Sequence, residues 1–318
     1  MGGEKSKNKI IGVCLVLLAA IMWGVSGTVA QYLFEQHSFG VEWLTVVRLL
    51  SAGLLLLVLV SITGKNNIWS VWQNSSNRTA IILFGIVGML GVQYTYFAAI
   101  EASNAATATL LQYTGPVMIV LYLLLRHRTL PSSRQVVAIF LALLGTFLLV
   151  THGNFTTLSI SGWALFWGLA SAVGLAFYTL QPINLLKQFS SAVVVGWGMI
   201  VGGIGMSFVH PPWGVVGSIS FLSIVALLFV IVFGTIVAFY SYLESLKYLK
   251  PTETSLLACA EPLSAAILAV LWLNVMFGLS EWIGAFCIIA TIVILSRKSE
   301  REEAGGTEAT PTIKNEVS

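Results

Sequence analysis

The sequence predicts an all-α integral membrane protein with ten transmembrane helices in a 5+5 inverted-topology repeat. Three observations predict it: too little charge for a water-facing surface, cations confined to alternate loops, and an ungapped internal repeat. Of the 318 residues, 57% are hydrophobic and 9% are charged, against about 25% charged in soluble domains. So few ions cannot cover a globular surface, which leaves lipid as the solvent. Aspartate is absent. The net charge of +3 is too small and too scattered to suit nucleic acid as a partner.

A spanning helix needs roughly 20 apolar residues. On that rule the helices fall near residues 10–33, 42–63, 79–100, 104–125, 134–152, 160–182, 192–210, 219–243, 252–272 and 280–296. The first run follows Lys5, Lys7 and Lys9 as a signal peptide would, but it continues past Trp23 to Phe34, long enough to span. The stretch 79–125 holds two helices because Glu101, Ser103 and Asn104 interrupt it in a tight turn. Loop signals stand at 64–77, 131–133 and 210–212. Residues 1–9 form an N-terminal tail. Residues 297–318, rich in Gly, Thr and Glu, have too little apolar surface to fold alone and form a second, disordered tail. Between the tails, 10–152 and 160–296 are two five-helix units.

The cations fix the orientation. Taking the helices in order, one side receives Lys5, Lys7, Lys9, Lys65, Arg78, Arg126, Arg128 and Arg134. It then receives Lys187, Lys247, Lys250, Arg297, Lys298, Arg301 and Lys314. The opposite loops hold no Lys or Arg, only Glu35, Glu42, Glu101 and Glu281 near them. Removing one internal helix would scatter the cations onto both sides. The pattern places a multi-pass protein in the plasma membrane with both termini cytoplasmic.

Sliding the chain against itself by 146 residues superposes two long segments. Tyr96 falls on Tyr242, Leu110 and Leu111 on Leu256 and Leu257, Pro116 on Pro262, and Ala138 on Gly284. Each half holds five helices, an odd number, so the second half is inverted relative to the first. Inverted repeats around a midplane site are a recurring plan of secondary transporters.

Four segments then carry a family resemblance: "AAIMWGVSGTVAQ" in the first helix, "VVRLLSAGLLLL" in the second, "FAAIEASNAATATLLQYTGPV" across the third and fourth, and "SYLESLKYLKPTETSLLACAEPL" across the eighth and ninth. As an ordered set they resemble the EamA-type carriers of the drug/metabolite transporter superfamily, over roughly residues 10–296. The resemblance implies a carrier of small metabolites, often amino acids or related solutes, commonly in the export direction. It also implies a central cavity built by helices one, three, four, six, eight and nine. The halves differ at one telling place, where Gly115 precedes the first-half proline and Glu261 the second.

Ionisable groups inside a bilayer are costly and need a reason. Arg48 lies about seven residues into the second helix; it is either a substrate or gating cation, or a helix-end arginine that snorkels outward or pairs with Glu42 or Glu101. Glu261 lies halfway along the ninth helix, directly before Pro262, which leaves a carbonyl one turn earlier without its backbone donor. A carboxylate at such a break can bind a proton, a cation or a substrate ammonium, or can stay protonated as a strut between helices. Uncharged polar and aromatic groups complete the candidate substrate-binding set: Trp23, Gln93, Tyr96, Gln112, Tyr113, Trp167, Tyr178, Gln181 and Tyr240, with Glu244 four residues beyond the last. The structural alternative for each is interhelical hydrogen bonding or an aromatic belt at the interface.

No catalytic residue, metal site or cofactor is expected. Cys14, Cys259 and Cys287 lack metal-ligand spacing and read as apolar packers. The string Gly24-Val25-Ser26-Gly27 matches the GxSG pattern of intramembrane serine proteases, yet every histidine (His37, His127, His152, His210) stands in a loop or at a helix end. A serine without a base is a poor nucleophile. That enzyme reading stands second to the carrier, beside a non-transporting receptor or assembly protein. The expected partners are the lipid bilayer and a small-molecule substrate. Gly85, Gly88 and Gly91, and the GxxxG pair Gly198 and Gly202, favour close helix contacts and also allow a homodimer.

Overall fold

A computed structural model of the chain describes residues 2–63, 67–128, 130–154, 161–264, 267 and 278–296, without the side chains of residues 2–6, 106 and 127. Among these residues every regular element is helical. The protein opens with α1 (Gly2–His37), which absorbs the expected N-terminal tail, because Glu4 and the lysines are good helix formers with no breaker after them. Next come α2 (Val41–Thr63) and α3 (Ser75–Ala102), linked by a short 3₁₀ turn, Ser70–Trp72. The α4 helix runs in two pieces, Ala105–Gln112 and Gly115–His127. The α5 (Ser133–Thr151) and α6 (Gly162–Leu186) helices follow. The second half continues with α7 (Ser191–Ser207) and α8 (Phe221–Ser245). It ends with α9, described as Pro251–Leu257 and residues 260–264, and α10 (Leu279–Ser296).

Eight of these helices are long and apolar enough to cross a membrane, and α7 is a shorter apolar helix. The far part of the expected ninth helix (265, 266 and 268–277), the expected tail 297–318 with its four cations, Lys65 and the start of the sixth helix at 160 lie outside the described residues.

Side-chain oxygens close the exposed helix starts. Asn104, Ser132, Ser161 and Ser220 each accept from a backbone N–H three residues on, satisfying donors the helix itself leaves free.

Helix pairing follows the repeat. The α2 helix packs on α7 and α5 on α10, each against its own counterpart, while the α3–α6 contact between the halves is answered by the equivalent α8–α1 contact. Glycines permit the closest approaches. A Cβ added to Gly53 on α2 would stand 2.9 Å from the Gly196 carbonyl on α7, and one on Gly145 of α5 would stand 2.9 Å from that of Gly284 on α10. One on Gly202 would stand 2.7 Å from the Gly85 carbonyl of α3. The GxxxG pair of α7 therefore serves contacts within the chain.

Two irregularities recur at equivalent places in the halves. π-helical turns span Phe84–Leu90 in α3 and Val232–Val237 in α8. Breaks divide α4 at Tyr113 and Thr114 and α9 at Ala258 and Cys259, each just before the repeat's shared proline. Such irregular backbone at membrane depth is tolerated where it is buried or lines a cavity. Here it does both.

Candidate functional site

Gly234 of the α8 π turn, Gln112 just before the break in α4 and Glu261 just after the break in α9 line one interior cavity, between two apolar clusters. One cluster gathers Leu33, Phe39, Trp43, Leu44 and Phe97 toward the loops without cations; the other runs through Leu56, Val60, Leu186, Val194 and Leu249 toward the lysine-bearing side. The cavity volume is about 40 Å³.

Seven of the expected residues line this cavity: Trp23, Arg48, Gln93, Tyr96, Gln112, Tyr178 and Glu261. Arg48 is 4% exposed and turns inward. Its Nε donates to Thr235 Oγ1 at 3.1 Å, and its guanidinium lies 4.4 Å from the centre of the Phe97 ring. Thr235 belongs to the π turn of α8, where its hydroxyl also donates to the Val230 carbonyl five residues back. The protein thus answers the arginine with a neutral hydroxyl and aromatic faces. Among the described residues no ion pair joins Arg48 to Glu42, Glu101 or Glu261. Glu42 instead accepts from the Tyr94 hydroxyl at 3.4 Å.

These contacts leave Arg48 short of a full counterbalance. A desolvated cation–π contact contributes about 2 kcal/mol, and a net hydrogen bond about 1 kcal/mol. A charge at the bilayer centre costs several kcal/mol or more. The geometry suits a negative group arriving in the cavity.

Glu261, also 4% exposed, faces the same cavity from α9. Its Oε1 accepts from the Tyr96 hydroxyl at 3.3 Å, and its Oε2 lies 2.8 Å from the Tyr113 hydroxyl. Tyr96 is itself bonded to Thr109 at 2.7 Å. Tyr113 stands behind Glu261 rather than on the cavity wall, and its hydroxyl also reaches the Ala258 carbonyl at 2.6 Å. That carbonyl lies four residues before Pro262, so it is the acceptor that a proline strips of its helical donor. The first half of the repeat repairs the break in the second.

Gln93 is 2% exposed, and neither its amide nitrogen nor its amide oxygen has a partner among the described residues. The indole Nε1 of Trp23 is buried and unpartnered too. Buried polar atoms are nearly always bonded, so these atoms on the cavity wall are free to bond water or a polar group that enters.

Four expected residues lie elsewhere. Trp167 packs edge-on against Tyr94 beside the apolar cluster away from the lysines. Gln181 donates to the Ala80 carbonyl at 2.9 Å. Tyr240 is half-buried off the lining, and Glu244 pairs with Lys247 at 2.9 Å at the end of α8.

The wall also contains Ser26, and with it Gly27, Val92, Phe97, Leu175, Gly234 and Phe239, which a search for polar groups passes over. Ser26, the serine of the GxSG string, fits against Gly234. His37 bonds Tyr32 and Ser218, His152 bonds Glu281, and His210 bonds the Pro211 carbonyl, all at helix ends. The side chain of His127 lies outside the described residues.

Comparison with known proteins agrees with this architecture. A model of the EamA-like transporter family matches the chain twice, over residues 10–151 and 162–297. The chain is 42% identical over 290 residues to the "Uncharacterized inner membrane transporter YicL" of Salmonella typhimurium, covering 91% of this chain and 96% of that one. It is 25% identical to the "Uncharacterized transporter YwfM" of Bacillus subtilis, over 91% and 96% of the two chains. A WAT1-related chloroplastic protein of Arabidopsis thaliana matches at 23% identity over 81% of this chain and 63% of its own length. A solved crystal structure superposes with a TM-score of 0.72 at 18% identity, over 92% of this chain and 98% of that one.

Proposed function

We propose that this chain, which belongs to the EamA-like transporter family, is a gradient-driven carrier of small zwitterionic metabolites, amino acids or close relatives, working in the export direction. One observation carries the reading: Arg48 and Glu261 face one cavity without forming an ion pair. A zwitterion satisfies both at once, its carboxylate at Arg48 and its ammonium at Glu261. The amide of Gln93, on the same wall and without a partner among the described residues, supplies a further donor and acceptor. Trp23, Phe97, Tyr178 and Phe239 offer apolar surface to the rest of the solute.

The helix breaks and π turns of α3, α4, α8 and α9 are natural flexing points for alternating access, which requires two populated conformations. The cation map and the "inner membrane" in a relative's name support a plasma-membrane location with both termini cytoplasmic.

Counterflow of labelled amino acids into proteoliposomes tests the reading. Saturable exchange is expected for at least one member. Arg48→Met should raise the half-saturation concentration about 10- to 100-fold, because a charge-assisted hydrogen bond contributes about 1.5–3 kcal/mol. Exchange of no member of the panel would remove the carrier reading.

A further inference from the structure

The Tyr113 hydroxyl has one hydrogen and two close oxygen neighbours, the Ala258 carbonyl at 2.6 Å and Glu261 Oε2 at 2.8 Å. Both are full O–H···O distances. A carbonyl has no hydrogen to give. One hydrogen shared between the two would leave both bonds bent and weak, whereas two full bonds around the hydroxyl take a second hydrogen, for which the carboxyl group is the source.

We infer that Glu261 carries a proton in this conformation, and that Tyr113 ties its protonation to the break in α9. The protonated carboxyl donates through Oε2 to Tyr113 Oη, and Tyr113 donates onward to the carbonyl that Pro262 leaves open. The other carboxyl oxygen, Oε1, acts as an acceptor from Tyr96.

Loss of the proton reverses one bond. The O–H bond of Glu261 breaks and the proton passes to water in the cavity that Glu261 lines. The resulting carboxylate takes the Tyr113 hydrogen, which turns away from Ala258. Among the described residues that carbonyl then keeps the Glu261 backbone N–H, at 2.9 Å. The tie between α4 and the break in α9 is released as the site becomes anionic.

Of the other groups facing this site, α2 brings Arg48, α3 brings Tyr96 and α6 brings Tyr178, with Tyr242 of α8 packed at a tilt against Tyr178. On α9 itself, Cys259 is buried beside the break and Glu253 pairs with Lys9 at the helix start. Among these only Arg48 presents a fixed charge to the cavity. Proton and substrate ammonium then exclude one another at a single carboxyl, which is the condition for exchanging one for the other across the membrane. This use rests on the carrier reading; the protonation and its link to α9 do not.

Infrared difference spectroscopy of the full chain in lipid, without substrate, across a pH series tests the inference. The expected result is a protonated-carboxyl C=O band at neutral pH that Glu261→Gln removes. As pH rises it should disappear together with a change in a tyrosine C–O(H) band, and Tyr113→Phe should abolish that tyrosine change. Tyr113→Phe keeps the ring and leaves Glu261 intact, so it carries the test if Glu261→Gln does not fold. A wild-type spectrum without the carboxyl band, or a tyrosine change that survives in Tyr113→Phe, overturns the inference. A band present without any counterflow would sink the carrier reading alone, and counterflow without the band would sink the proton site alone.

Discussion

Arg48 and Thr235 form the contact on which the cavity's charge depends. Thr235 is fully buried, and its hydroxyl fixes the guanidinium over Phe97. Thr235→Val keeps the volume and removes the acceptor, leaving the Nε hydrogen of a buried cation unpaired. We expect a loss of about 1–3 kcal/mol, seen as a lower melting temperature in detergent, with weaker substrate retention. Unchanged melting and affinity would show that the hydroxyl does not hold the arginine. Arg48→Lys should not rescue transport, because an ammonium lacks the planar fork that meets a carboxylate in two bonds. A lysine variant exchanging at the wild-type rate would count against the carboxylate-binding role.

At the scale of the helix, glycines and irregular turns decide which faces meet. A Cβ on Gly234 would collide with the side chain of Ser26 where α8 crosses α1. Gly234→Ala should therefore stop transport by forcing the two helices apart, and Ser26→Gly in the same chain should restore it, since the collision is with the Ser26 side chain. Restoration by the second substitution separates close packing from any chemistry of Ser26; no restoration would place the effect elsewhere. Gly202→Leu should lower the melting temperature, as overpacking against the Gly85 carbonyl costs about 1–3 kcal/mol. The π turns explain why some lining residues escape a reading of the sequence. A π turn inserts one residue and rotates every later side chain by about 100°. Beyond Val232–Val237, the Tyr240 and Glu244 pair thus leaves the lining, and Phe239 enters it. No composition signal marks such a turn. The break at Pro262 was legible, because proline removes a donor whatever surrounds it. The group that repairs it, Tyr113, lies 145 residues from Ala258 along the chain, and only the fold brings the two together.

Across the whole molecule, the membrane class and the helix order follow from composition, apolar run length and the cation map, because the bilayer imposes those constraints on any sequence. Arg48 and Glu261 stood out for the same reason: charge inside lipid is expensive. Their meeting at one cavity depends on the packing of α2 and α9 around α3, α4 and α8, which no local pattern encodes. In the proposed carrier this cavity recognises a solute through both of its charges. Counterflow with three matched compounds tests it most directly: an exchanged amino acid, the amine lacking its carboxylate, and the acid lacking its ammonium. Saturable exchange of the amino acid alone is expected, with Arg48→Met weakening it and neither partial analogue competing at equal concentration. Competition by the amine or the acid as strong as that of the intact zwitterion would contradict it.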